Sequence, residues 1–165
     1  MATPPATLRL FVYGTLKRGG RYHERFCGGA LSIEPASVRG RLYTLPEGYL
    51  VLVVPPERIL ANGSGDAIAD VTRQESFARS RWSREGTSGC GPYHASVMPA
   101  ASPEDAGWQD VHGELQTFDD PADRLAAIDA LEDFHPGAPS LYLRVLLPVR
   151  RYSEYVAAWT YVDPS

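Results

Sequence analysis

"LRLFVY" at residues 8–13 is a nearly continuous apolar run that stops on Gly14. Such a run is the pattern of a strand covered on both faces rather than one. "SVRGRLYTL" (37–45) mixes apolar and polar positions, and "YLVLVV" (49–54) is apolar and β-branched; Pro46–Gly48 separates them as a turn. "VHGELQTF" (111–118), "LYLRVLLPV" (141–149) and "YVAAWTYV" (155–162) complete a set of six expected strands. Only one segment has a convincing helical period: "PADRLAAIDALEDF", 121–134. Asp120 is placed as its N-cap, Pro121 suits the first helical position, and Asp123 favours the first turn electrostatically. His135-Pro136-Gly137 ends it.

Strands without alternating helices argue against a parallel βαβ array. The expected class is α+β: a small mixed β-barrel of about six strands with flanking helices. Between Pro55 and Asp110 the pattern dissolves into a Gly-, Ser-, Ala- and Pro-rich stretch with no sustained period. A connection of that length inside a compact domain is usually a lid, an insertion or a disordered segment. "TRQESFARSRWSRE" (72–85) is a helix candidate within it. No internal repeat is visible, and residues 1–165 read as one domain with an atypical insertion at about 55–110.

Composition narrows the function classes. Hydrophobic residues make up 44% and charged residues 22%, which is globular, and the net charge is −4. An acidic chain lacks the basic footprint of a nucleic-acid binder. Fifteen arginines against one lysine read as GC-rich coding rather than a phosphate-binding surface. No apolar run reaches the roughly 18 residues of a membrane-spanning helix, and "MATPPATLRLF" lacks the shape of a signal peptide. Two distant cysteines, Cys27 and Cys90, suggest a reducing compartment, with a disulfide between them left open. The expectation is a cytoplasmic protein, monomeric or weakly dimeric, with neither nucleic acid nor membrane as partner.

Two features could carry chemistry. Leu125, Ile128 and Leu131 share one helix face, and Glu132 falls within their stripe, with Asp129 and Asp133 towards its side. A carboxyl turned to the core has its pKa raised, as a general base near neutrality requires; a Glu at the stripe's edge reaching solvent is the plainer alternative. At the end of the first strand, Gly14 allows a positive φ or close approach of the backbone to a ligand, and successive amides there can form an anion-binding concavity. A tight turn alone explains the same residues. His23, His94, His112 and His135 lack metal-ligand spacing. "NGSGD" and "GTSGCG" match neither a nucleophile elbow nor a phosphate loop. Cys27 reads as a buried thiol rather than a nucleophile. Arg73, Arg79, Arg81 and Arg84 read as a solvated face.

Taken together, "FVYGTLKRGGRYHERF", "VRGRLYTL" and "VHGELQTFDD…LAAIDALEDFHPGAPSLYLRVLLPV" resemble the gamma-glutamylcyclotransferase-like family. That family includes gamma-glutamylamine cyclotransferases and plant avirulence-induced AIG2-like proteins. The resemblance covers roughly 8–54 and 111–162. It implies a cavity at one end of a small barrel and cyclisation of a gamma-glutamyl amine or peptide to 5-oxoproline. It puts the substrate-binding loop on Tyr13, Gly14, Thr15 and Leu16, the catalytic acid/base on Glu132, and the family's Tyr-x-Arg on Tyr142, in substrate binding, and Arg144. No metal or organic cofactor is implied; the partner is a small gamma-glutamyl substrate. Asp133 stands where the family often has glycine, and 55–110 exceeds its usual connection. A cavity-keeping binding module without turnover, or an amide-processing enzyme acting on a biosynthetic intermediate, are the alternatives.

Overall fold

A computed structural model of the chain describes residues 7–77 and 107–164. The apolar runs become strands: β1 (Leu8–Val12), β2 (Ser32–Thr44), β3 (Leu50–Val53), β4 (Ala61–Asn62), β5 (Gln109–Phe118), β6 (Leu143–Arg151) and β7 (Glu154–Val162). β1 lies between β5, antiparallel, and β7, parallel. β2 runs antiparallel along β5 from Ser32 opposite Thr117 to Gly40 opposite Gln109, and β6 and β7 form a long hairpin. A single bridge, Ser37 opposite Arg150, joins β2 to β6 and closes the ring β2-β5-β1-β7-β6. The result is a five-stranded mixed barrel, with β3 added to β2 and the short β4 to β6.

Alternation within β1 explains its continuous apolar run. Phe11 joins Val38, Leu115, Leu147 and Val149 in a core built of strand residues, the barrel interior. Leu8, Leu10 and Val12 point the other way, into a second core shared with helices. Among the described residues, three α-helices cover that face: α1 (His23–Cys27), α2 (Ala67–Phe77) and α3 (Pro121–Leu131). Burying both faces of one strand is what makes its pattern continuous.

Several expectations are corrected. α3 ends at Leu131, short of 134. Asp120 sits at its N-cap position but makes no capping bond. Its carboxylate instead takes Arg124, which also donates to the Phe26 carbonyl at 2.9 Å. α2 begins at Ala67, ahead of the expected 72; residues 78–85 lie outside the described residues, as does Cys90. Asp66 caps α2 through the amides of Ile68 and Ala69, at 3.1 Å each. Gln74 on its buried face behaves like a strand neighbour, accepting from the Arg9 amide and donating to the Thr7 carbonyl. The first part of the 55–110 stretch is therefore built into the helix-covered core.

Candidate active site

The turn that ends α3 determines where Glu132 points. Glu132 is the C-cap residue, and Asp133 follows it at φ 55 in the left-handed region. The Phe134 amide donates to the Asp129 carbonyl at 2.9 Å and the Asp133 amide to the Ala130 carbonyl at 3.3 Å. This pair of bonds is a Schellman motif, and Phe134 and Ile128, both buried, provide its apolar contact. The left-handed residue of such a motif is usually glycine, because a Cβ is strained there. Asp133 accepts that strain; its exposed carboxylate lies 2.6 Å from His135 Nε2. Asp133→Gly is expected to stabilise the protein by about 0.5–1 kcal/mol in urea unfolding while leaving Glu132 in place.

Glu132 is half-buried, and burial pushes its carboxyl up to about 7. Its neighbours are weak acids held neutral. The Tyr13 phenol is raised by burial first and by the Glu132 charge second, and it donates to the Tyr161 carbonyl at 2.7 Å. The Tyr142 phenol is raised by the same two causes and donates to the Leu50 carbonyl at 3.1 Å. Burial chiefly pushes the Cys27 thiol up to about 12, which makes it inert as a nucleophile. Glu132 is thus the ionisable group here whose two protonation states are both populated near neutral pH.

The second wall is the loop after β1. The Lys17 amide donates to the Gly14 carbonyl at 3.0 Å, closing a turn with Thr15 and Leu16 at its centre. Among the described residues none accepts from the amides of Gly14, Thr15 or Leu16. The Leu16 side chain is buried in the helix-covered core, so only its backbone is available to a ligand; Thr15 is exposed. Below the loop, the Arg18 amide donates to Glu114 at 2.7 Å and Gln116 donates to the Leu16 carbonyl at 3.3 Å. A Cβ on Gly20 would come within 2.4 Å of the Thr15 carbonyl oxygen, so the loop's compactness requires that glycine. For Gly14 the structure removes one of the two reasons for a glycine. Its φ is not in the left-handed region, and an added Cβ would meet only the Leu50 Cδ1, at 3.7 Å. Nothing in the protein itself requires glycine there.

Leu50 ties the two walls, lying beside Gly14 and accepting from Tyr142. Tyr13, Gly14, Tyr142 and Glu132, proposed from separate stretches of sequence, therefore share one end of the barrel. Arg144 does not join them. It is 1% exposed, and its fork grips Asp129 through Nε–Oδ1 (2.9 Å) and Nη2–Oδ2 (3.1 Å), while Nη1 meets Asp70 at 2.9 Å. Burial lowers its pKa, but Asp129, Tyr161 and Asp70 outweigh this and raise it overall, so its charge is secure. Asp70 and Tyr161 escaped the sequence reading, because nothing in spacing joins residues so far apart.

A separate open cleft of about 480 Å³ is lined by Asn62, Gly63, Phe134, His135, Leu143 and Arg144. Its ionisable side chains, however, are already partnered: Arg144 with Asp70 and Asp129, and His135 with Asp133. Neither Glu132 nor the 13–16 loop lines it.

The family model described as "Gamma-glutamyl cyclotransferase, AIG2-like" matches residues 10–73 and 72–165. The chain belongs to that family. Both walls of the site lie inside the matched cyclotransferase segments, as does α2. Among solved structures it is similar to an AIG2-like protein from Mus musculus, at 19% identity and a TM-score of 0.47, over 96% of this chain and 78% of that one. It is also similar to an Arabidopsis thaliana protein, at 18% identity and a TM-score of 0.44, over 99% of this chain and 66% of that one. No curated protein matches the chain. Among the described residues of this cyclotransferase-family chain, no helix is long and apolar enough to cross a membrane.

Proposed function

We propose that the protein cyclises a gamma-glutamyl amine or peptide to 5-oxoproline and releases the free amine, with Glu132 as the acid/base. The supporting observation is a carboxyl pushed up to about 7 at the end of α3, beside a loop in which the amides of Gly14, Thr15 and Leu16 have no partner within the described chain. The substrate's α-carboxylate and γ-carbonyl bind near the amides of Gly14, Thr15 and Leu16, against Tyr13 and Tyr142. Glu132 takes one proton from the α-ammonium. The freed amine attacks the γ-carbonyl carbon, closing the five-membered ring and placing negative charge on the carbonyl oxygen, where loop amides stabilise it.

Protonated Glu132 then delivers its proton to the leaving nitrogen, and the C–N bond breaks. The ring nitrogen gives up a second proton by the same carboxylate, so the amine departs as an ammonium ion and Glu132 is again ready. Nucleophile and electrophile belong to one molecule, so holding a bent conformer supplies much of the acceleration. The chemistry calls for no metal or organic cofactor.

Gly14 separates substrate binding from mere turn formation. Gly14→Ala is expected to leave the melting temperature within about 1–2 °C of wild type, since φ is ordinary and the space is open. The same methyl would stand on the substrate's side of the loop and raise KM by about tenfold or more. The function itself is tested by mass-spectrometric detection of 5-oxoproline across a panel of gamma-glutamyl amino acids, amines and peptides. Turnover of at least one member is expected, and thermal stabilisation by these compounds without product would instead indicate a binding module.

A further inference from the structure

One continuous set of hydrogen bonds connects both walls of the site to a residue outside it. Asp70, on α2, is fully buried and accepts from the Ser64 amide (2.9 Å), the Ser64 hydroxyl (2.8 Å) and Arg144 Nη1 (2.9 Å). The Arg144 guanidinium is also held by the Ser64 carbonyl at 3.0 Å and by both carboxylate oxygens of Asp129. Asp129 lies one turn before Glu132, and its backbone carbonyl takes the Phe134 amide in the turn that directs Glu132. Its carboxylate further accepts from the Tyr161 hydroxyl at 2.5 Å, while the Tyr161 carbonyl accepts from Tyr13. The path runs Asp70–Arg144–Asp129–Tyr161–Tyr13.

Gly63 makes room for it. A Cβ there would come within 2.9 Å of Arg144 Cζ and 3.0 Å of the Arg144 carbonyl oxygen. The rings of Phe134 and Trp159 flank the guanidinium at 5.1 and 5.2 Å. A planar fork so enclosed has little freedom other than that its acceptors allow. Asp70 is a second buried carboxylate beside the Asp129–Arg144 pair, and the three hydrogen bonds it accepts offset the cost of its desolvation.

We propose that Asp70 is a positioning residue: through Arg144 it holds the Asp129 turn from which Glu132 projects. The helix that bears it lies within the residues matched by the family model, in the part of the chain that follows Pro55, and that part thereby contributes to the site. The inference rests on the reading of Glu132 as the base, and its test includes a measurement that needs no turnover.

Asp70→Asn keeps the shape and loses the charge-assisted grip on Nη1; Asp70→Ala loses the acceptor altogether. Glu75→Gln, on the same helix but paired with Arg9, is the control. Amide hydrogen exchange and steady-state kinetics are measured on all four full-length proteins. Exchange at Asp133 and Phe134 is expected to accelerate by about threefold in Asp70→Asn and tenfold or more in Asp70→Ala, with Leu125 and Ile128 at wild-type rates. kcat is expected to fall in the same order, by about threefold and about 10–100-fold, at nearly constant KM.

A merely structural role moves all of α3 together and leaves kcat per folded molecule unchanged, and that result overturns the proposal. If Asp70→Ala does not fold, Asp70→Asn decides alone, and wild-type exchange at the turn overturns it. Faster exchange confined to the turn in the Asp70 variants, together with a wild type that makes no 5-oxoproline, upholds the positioning and rejects the reaction.

Discussion

Glu132→Gln is expected to reduce 5-oxoproline formation by about 10²–10⁴-fold while leaving the barrel intact. The amide has the carboxyl's shape but cannot take the proton of the α-ammonium, so the nucleophile stays masked. Substrate binding at the 13–16 loop should survive, because the loop amides are backbone groups and the phenols of Tyr13 and Tyr142 are held by the Tyr161 and Leu50 carbonyls. kcat should therefore fall far more than KM rises.

The same variant carries an opposite expectation for stability. The Glu132 carboxyl titrates at about 7 in the folded protein against 4.5 for an unperturbed glutamate, so the folded state binds its proton more tightly. Below about 4.5 both states are protonated and the residue neither helps nor harms. As pH rises from 4.5 to 7 the unfolded chain releases its proton first, and stability falls; above 7 the penalty is complete. Glutamine carries no such penalty. At about pH 8 the variant should be more stable by about 1–3 kcal/mol, a gain that vanishes near pH 4. Urea unfolding at both pH values checks this, and an equal effect at both would contradict a desolvated carboxyl. Stability gained as activity is lost is the usual mark of a residue kept for chemistry.

Arg144→Met is expected to have the largest effect on stability. Removing the cation leaves Asp70 and Asp129 buried together, one fully enclosed and one mostly so. Breaking a buried pair from one side costs about 3–5 kcal/mol. The loss should appear as a lower urea midpoint with an unchanged slope. Adding Asp70→Asn and Asp129→Asn to the same chain should recover most of it, since no charge then remains unpaired. A single Arg144→Met within about 1 kcal/mol of wild type would show that water reaches the cluster.

Strand positions were legible because both sides of β1, β6 and β7 are covered, which leaves unbroken apolar runs in the sequence. The half-burial of Glu132 agrees with its spacing, seven residues after Leu125 and four after Ile128, since helical period survives even at a C-cap. The end of the helix was misjudged because Asp133, poor at the left-handed position on intrinsic grounds, gives no glycine signal there. α2 was misplaced for a different reason. Its buried face carries Asp70 and Gln74 beside a single valine, and a face stabilised by hydrogen bonds has no hydrophobic period to detect. The Arg144–Asp70 pair spans 74 residues, a distance over which only the fold makes them neighbours. Of the two reasons the sequence offers for Gly14, a positive φ is not met, and the open space beside it is compatible with the other, close approach of a ligand.

Product analysis in heavy-oxygen water is the most direct test of cyclisation at this site. With a gamma-glutamyl substrate that the wild type turns over, intramolecular attack should give unlabelled 5-oxoproline and the free amine in equal amounts, with Glu132→Gln nearly inactive. Labelled glutamate in place of 5-oxoproline would mean that water, not the substrate's own amine, attacks the γ-carbonyl. Undiminished 5-oxoproline from Glu132→Gln would remove Glu132 from the reaction.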